Sequence, residues 1–288
     1  MNGRLFVIGI GPGDARYLTP EAEAALGAAD TLYGYTPYLD RVPVRSGQAR
    51  QPSDNREEGA RAAAALRHAA EGASIALVSG GDPGVFAMAA AVCEAIEAGP
   101  DAWRAIALDI IPGVTAMLAV AARIGAPLGH DFCALSLSDN LKPWPLIEQR
   151  LDAAAGAGFV LALYNPVSRA RPWQLGAAFA RLRRHLPDRT PVVFGRAVGR
   201  VDEHVVVTTL AAADAAAADM ATLVIVGSPE TRVVPRPGRA PLVYTPRSAL
   251  GLTQEACGEL GGHHLPNGER KQAECAETSC VPSSRKLS

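Results

Sequence analysis

Six short stretches carry residue types and spacings that can do chemistry, and the clearest of them follow apolar runs. The first, Gly9-Ile10-Gly11-Pro12-Gly13-Asp14, comes straight after such a run. Glycines let a backbone approach a ligand closely and aim its amides at it; they equally mark a tight turn. The spacing argues against a dinucleotide site, because Asp14 stands where the third glycine of G-x-G-x-x-G belongs and helix entry is delayed to Thr19. The expected second strand also ends on Tyr33-Gly34-Tyr35, with no acidic residue for a ribose. The second stretch, Val78-Ser79-Gly80-Gly81-Asp82-Pro83-Gly84-Val85-Phe86, repeats the order strand, glycine turn, helix. Strand ends of this kind are where open α/β sheets bind ligands. Asp82 is either part of such a site or a helix cap.

The third stretch, Ile111-Pro112-Gly113-Val114-Thr115-Ala116, reads as a hinge, and the Thr115 hydroxyl either caps a helix or bonds a ligand in an interdomain cleft. In Gly129-His130-Asp131-Phe132 through Ser136-Leu137-Ser138-Asp139, the polar positions either end a strand or contribute to a site. There His130, Asp131 and Asp139 are the candidate acid–base groups. Tyr164-Asn165-Pro166 ends an apolar strand. Arg196-Ala197-Val198-Gly199-Arg200-Val201-Asp202-Glu203 follows another, and an Arg196 or Arg200 pair with Glu203 is its plainest reading. No H-E-x-x-H, P-loop lysine motif or G-x-S-x-G is present.

Short apolar runs alternate with Ala-rich amphipathic ones, the pattern of an α/β fold. Strands are expected over 4–10, 31–35, 74–79, 105–111, 132–137, 159–164, 191–196, 205–209 and 222–226. Helices are expected over 20–29 with Thr19 as N-cap, from Ser53 or Asp54 to about 71, and over 84–97, 114–124, 145–155 and 172–185. Two α/β domains, residues 1–112 and 113–246, meet at the hinge. Residues 247–288 read as a disordered tail, too polar to offset chain entropy.

The net charge of −1 leaves no basic excess for nucleic acid or an anionic membrane, so an anionic ligand must be met by local Arg and Lys. No run reaches the length of a membrane span. The apolar start is cut short by Gly9, Gly11 and Pro12 and reads as a strand rather than a signal peptide, so the expected location is cytoplasmic. The five scattered cysteines give no disulfide framework. Cys257, His263, His264, Cys275 and Cys280 lack a C-x-x-C pair, and no metal is expected.

Taken together, the G-x-G-P-G-D start with Leu18-Thr19, the S-G-G-D-P-G loop, the P-G-V-T-A hinge and the R-x-x-G-R-x-x-E stretch resemble the tetrapyrrole methylase family over about residues 4–245. Gly125-Ala126-Pro127-Leu128-Gly129-His130-Asp131-Phe132, Ser136-Leu137-Ser138-Asp139, Pro143-Trp144 and Tyr164-Asn165-Pro166 with Ser168 and Arg169 are similar to its branch acting at C17 of precorrin-3B. Asn140 stands where that branch suggests an apolar residue. The resemblance implies two α/β domains with S-adenosylmethionine bound between them, a homodimer, and a reaction that methylates C17 and contracts the ring to precorrin-4. A cobalt-loaded ring or another ring position is the alternative within the family. A dinucleotide oxidoreductase and a non-catalytic tetrapyrrole carrier are the alternatives outside it.

Carried over by motif, the implied donor residues are Pro12, Gly81, Asp82, Val85, Phe86, Thr115, Ala116, Tyr164, Asn165, Arg196, Ala197, Val198 and Thr222. The ring bears acetates and propionates, which call for arginine forks. Arg41, Arg45, Arg50, Arg56 and Arg61 crowd one region and are either a solvated face or substrate contacts. Arg45 and Arg50 are the preferred pair, with Asp14, Ser136 and Ser138 beside the ring. The base for ring contraction is His130, Asp131, Asp139 or a carboxylate of the substrate itself.

Overall fold

In the computed structural model, which describes residues 3–55, 57–168 and 170–248, β1 (Arg4–Gly9) is buried at every position after Arg4. Such a continuous apolar run suits a strand covered on both faces. α1 (Pro20–Ala28) starts as expected. The Thr19 hydroxyl accepts from the Ala22 amide at 3.1 Å, and Glu21 and Glu23 sit at the positive end of the helix dipole. Then follow β2 (Thr31–Tyr35), α2 (Thr36–Leu39), β3 (Ala49–Ser53), α3 (Glu58–Ala70), β4 (Ser74–Ser79), α4 (Met88–Ala98), α5 (Asp101–Arg104) and β5 (Ala107–Ile111). The strands form one parallel sheet in the order β3-β2-β4-β1-β5. Successive side chains alternate faces. Phe6 and Ile8 pack with Leu26, Leu32 and Val78 on one side; Leu5 and Val7 pack with Leu66, Leu77 and Val92 on the other.

The chain leaves this sheet through Pro112–Thr115 and enters α6 (Ala116–Ile124), β6 (Gly125–Ala126), β7 (Phe132–Ser136), α7 (Trp144–Gly156), β8 (Val160–Tyr164), α8 (Gln174–Leu182), β9 (Pro191–Arg196), β10 (His204–Thr209) and β11 (Thr222–Val226). A second sheet of order β10-β9-β11-β8-β7 results, parallel only between β7 and β8. Leu161, Leu163, Val192 and Phe194 face the helices α7 and α8, and Val160, Val193, Leu223 and Ile225 face α6. A hairpin, β12 (Arg232–Arg236) and β13 (Arg239–Tyr244), joins β6 in a small third sheet. All the described residues belong to one contact unit, Met1–Ser248. The expected tail and its cysteines and histidines lie outside the described residues.

The elements depart from the sequence expectation where ligand-facing loops or exposed edges override pattern. α3 begins at Glu58, uncapped by any side chain. Ser53 and Asp54 instead accept from Arg61, through the Ser53 hydroxyl (2.5 Å) and the Asp54 carbonyl (2.6 Å). α4 begins at Met88 rather than Gly84, because Phe86 lies in the left-handed region (φ 52°), which a helix cannot contain. β3, with Pro52 inside it, is an edge strand, where a missing ladder donor is tolerated. The β12–β13 hairpin is mostly exposed and offers no alternation of apolar and polar residues to read.

Candidate active-site cleft

The C-terminal ends of β1, β2, β4 and β5 in the first sheet face those of β8 and β9 in the second, with the start of antiparallel β11 beside them. Between them lies a cleft of about 550 Å³, within the range of small-molecule sites. Its first wall is backbone. The amides and carbonyls of Gly11 and Gly81 bond reciprocally (3.1 and 2.9 Å), tying the β1 loop to the β4 loop. A Cβ on Gly9 would come within 2.7 Å of the Gly81 carbonyl and 2.8 Å of the Gly113 amide, so the third loop packs equally close. Asp82 fastens this junction. One carboxylate oxygen accepts from the Gly84 amide (2.8 Å) and the other from the Gly113 amide (3.0 Å). It is an inter-loop clasp, and the helix-cap reading is set aside, since α4 starts after Ala87.

The opposite wall is built from side chains. Thr115, buried at the N-cap position of α6, makes no cap bond; its hydroxyl meets the Tyr164 hydroxyl at 2.6 Å. Tyr164 also accepts from the Met117 amide at 3.2 Å, so the end of β8 is pinned to the start of α6. Burial pushes the Tyr164 phenol above its usual range, and the Thr115 and Met117 hydrogen bonds oppose that only in part. Phe86 stacks obliquely on Tyr164 (5.2 Å between centroids) and is half exposed into the cleft. Phe86, Asn165 and Ala197 are the described non-glycine residues with positive φ (52°, 51° and 49°), and all three line the cleft. Such backbone strain concentrates where a site needs it. The Asn165 amide donates to the Ser136 hydroxyl at 2.9 Å, which fixes its side chain.

The structure brings nearly all the predicted donor residues together. Pro12, Gly81, Asp82, Val85, Phe86, Thr115, Ala116, Tyr164, Asn165, Ala197, Val198 and Thr222 line the cleft. Arg196 does not. Its guanidinium turns to Asp219 (2.7 Å) and Asp202 (2.8 Å). This corrects the expected pair with Glu203, which binds Arg123 and the Gly199 amide instead.

The residues expected around the ring and the base are placed differently: Arg41 and Arg61 line the cleft, whereas Asp14, Arg45, Arg50, Ser136, Ser138, His130, Asp131 and Asp139 do not. The Arg50 guanidinium is spent on the carbonyls of Leu39, Val42 and Pro43 (2.7–2.8 Å), a brace for the loop after α2. Arg45 is exposed and lies against Gly27 of α1. Arg61 is buried and bonded to Ser53 and Asp54 at the cleft's edge, and burial lowers its pKa. Arg56 lies outside the described residues, as does Arg169. Within the arginine crowd, Arg41, Arg50 and Arg61 each hold loop backbone together, and Arg41 and Arg61 do so on the cleft lining.

Asp14 accepts from the Arg16 amide (2.9 Å), Ser136 from Asn165, and Ser138 from Arg171 (2.9 Å). His130 and Asp131, 3.7 Å apart, precede β7 at the end away from Ser136. Asp139 is held by Arg171 at 2.9 Å, whose hydrogen bond keeps the carboxyl below the usual range and makes it a weak base. Sequence reasoning missed Tyr35, Tyr38 and Arg200 on the cleft wall. The signal for the two tyrosines was the polar turn Tyr35-Thr36-Pro37-Tyr38 after β2, and that for Arg200 was the Arg196–Glu203 stretch, read above as an ion pair.

The chain matches the family model described as Tetrapyrrole (Corrin/Porphyrin) Methylases over residues 4–214. It is 64% identical to the precorrin-3B C(17)-methyltransferase of Sinorhizobium sp, over 88% of this chain and all of that protein. With the probable cobalt-factor III C(17)-methyltransferase of Salmonella typhimurium it shares 41% identity, over 84% of this chain and 98% of that one. The crystal structure of the methyltransferase CobJ superposes with a TM-score of 0.81 at 47% identity, covering 85% of this chain and all of that one.

Proposed function

Because the chain belongs to the tetrapyrrole (corrin/porphyrin) methylases, we propose that its cleft brings S-adenosylmethionine and precorrin-3B together for C17 methylation and ring contraction to precorrin-4. The chain is a methyltransferase of cobalamin biosynthesis, and the family's methyl donor is S-adenosylmethionine. The observation that carries the placement is the convergence of twelve of the thirteen motif-derived donor residues on one cleft at the strand ends of two sheets. We take residues 1–112 and 113–246 as the two domains that form it. No helix among the described residues is long and apolar enough to cross a membrane. We propose that the enzyme works in the cytoplasm as a homodimer.

The residues present fit the donor. Glycine backbone at Gly80–Gly81 offers close approach, Val120 and Leu223 supply apolar wall, and half-exposed Phe86 offers a face for a sulfonium or an adenine. The donor carries an already activated leaving group, so the protein's work is orientation and exclusion of water. The Thr115–Tyr164 bond fixes the side-chain wall by pinning the end of β8 to the start of α6. The Gly11–Gly81 and Asp82–Gly113 bonds stop the glycine loops from sagging into the cleft. With its phenol held above the usual range, Tyr164 stays protonated at neutral pH and keeps a hydroxyl in the cleft wall.

A cobalt-loaded ring is the second reading, favoured by the 41% likeness to the Salmonella protein and ranked below the first by the 64% likeness. Mass spectrometry of the product after incubation with S-adenosylmethionine and either ring decides. One added methyl with a ring-contracted spectrum from precorrin-3B is the expected result. Turnover of the cobalt form alone would exchange the two readings.

A further inference from the structure

Two guanidinium groups line the cleft from opposite sides of the seam between the sheets: Arg41, which follows α2, and Arg200, which follows β9. Both grip the same glycine loop at consecutive carbonyls. Arg41 Nη2 donates to Gly11 (2.8 Å), Gly13 (2.9 Å) and Ile10 (3.2 Å), and Arg200 Nε donates to Pro12 (3.2 Å). Adjacent carbonyls bring the two cations close together. Burial first, and the Arg200 charge second, lower the Arg41 pKa to about 10. The acids that follow Arg200 in sequence are engaged elsewhere, Glu203 with Arg123 and Asp202 with Arg196. Among the described residues, no carboxylate lies within ion-pair distance of either arginine. Among the described residues, all the hydrogen bonds of Arg41 leave from Nη2, none leaves from Nη1, and its Nε is buried without a partner.

Two neighbouring like charges, one of them half buried, are costly unless an anion completes them. A backbone carbonyl supplies only part of that charge, whereas a carboxylate matches the guanidinium fork. We infer that Arg41 and Arg200 form a carboxylate seat at the cleft wall, fixed in place by the Ile10–Gly13 carbonyls. This rests on the methyl-transfer reading above. The reaction offers two carboxylate sources: the acetates and propionates at the ring edge, and the amino-acid carboxylate of the donor. Because the seat draws one arginine from each side of the seam, its occupant also bridges the two walls.

Arg200→Met is the informative variant, since Arg41 braces three carbonyls. Arg200→Gln, whose amide can still reach Pro12, separates loss of charge from loss of the loop anchor. On the full chain, uroporphyrin III is titrated by fluorescence quenching, S-adenosylmethionine by calorimetry, and methyl transfer to precorrin-3B is followed at steady state. Ring binding is expected to weaken about tenfold in both variants and precorrin-3B KM to rise by as much, with donor affinity unchanged and Arg200→Lys intermediate. A weaker donor with the ring unaffected keeps the carboxylate seat and gives it to the donor. No change in either affinity overturns the seat. Wild-type protein that transfers no methyl, while Arg200→Met still loses porphyrin affinity, would remove the functional reading and leave the seat standing.

Discussion

The two walls of the cleft solve one problem with different chemistry. The first sheet contributes loops of glycine packed backbone to backbone, Gly9 against Gly81 and Gly113. The second contributes side chains and strained L-residues: Tyr164 bonded to Thr115, Asn165 bonded to Ser136, and Ala197 held at φ 49°. A glycine wall has no side chain to remodel and tolerates almost no substitution. A side-chain wall can be adjusted group by group, at a smaller cost for each change. Variants in the two walls should therefore differ in size and in kind.

The largest effect is expected from Gly113→Ala. Its new methyl would land on the Gly81 carbonyl and within 2.9 Å of the Gly9 backbone, with no flexible side chain there to move aside. Overpacking of this kind costs about 1–3 kcal/mol, and rigid backbone on both sides places Gly113 at the upper end. Urea unfolding should show a midpoint lowered by that amount and donor binding lost with it. A variant of wild-type stability would mean that the three loops are not in close contact.

Next in size is Thr115→Val, which keeps the shape and removes the hydroxyl facing Tyr164. Loss of one partner from a buried hydrogen bond costs about 1–3 kcal/mol. Here Tyr164 retains the Met117 amide, so about 1 kcal/mol of stability and a several-fold weaker donor are expected by calorimetry. Tyr164→Phe should match it, and the double variant should be less than additive. Full additivity would show that the two hydroxyls act independently.

Ala197→Gly should move the other way. Glycine adopts φ 49° freely, whereas L-residues pay roughly 1–2 kcal/mol to sit in the left-handed region. The gain is partly cancelled by the extra freedom of glycine in the unfolded chain, leaving a stabilisation below about 1 kcal/mol in thermal melts. Destabilisation instead would place the value of Ala197 in its buried methyl rather than in its backbone.

The same contrast decides what could be read from the sequence. The glycine wall was legible because Gly-x-Gly-Pro-Gly-Asp and Ser-Gly-Gly-Asp-Pro-Gly state their conformation in their residue types, and the buried parallel strands state theirs in unbroken apolar runs. The residues of the second wall were found only through the family resemblance, because nothing local says that Ala197 or Phe86 will take a positive φ. That φ at Phe86 moved the start of α4 by four residues. The backbone role of the arginines was hidden for a related reason. Arg41, Arg50 and Arg61 read as surface or ligand contact from their charge, whereas the loop carbonyls they satisfy, 7 to 31 residues away, carry no sequence signal.

The smallest predicted effect tests the outer edge of the side-chain wall. Arg171 holds Asp139 at 2.9 Å and the Ser138 hydroxyl at the same distance, just beyond Ser136 and Asn165. The Asp139 carboxyl is depressed in the folded protein, chiefly by the Arg171 hydrogen bond. Its contribution to stability is therefore complete above the ordinary aspartate range near pH ~3.9, and it is lost as the pH falls through the lower folded value. Melting temperatures of wild type and Arg171→Met, compared at each pH, should differ by a constant amount above about pH 5, worth under about 1 kcal/mol for a pair near the surface, and the difference should shrink in acid as the Asp139 carboxyl of the folded protein protonates. Donor affinity should not follow that curve, since neither residue lines the cleft. Were donor affinity to fall in step with stability, the ion pair would belong to the site, and the side-chain wall would extend through β7 to Asp139.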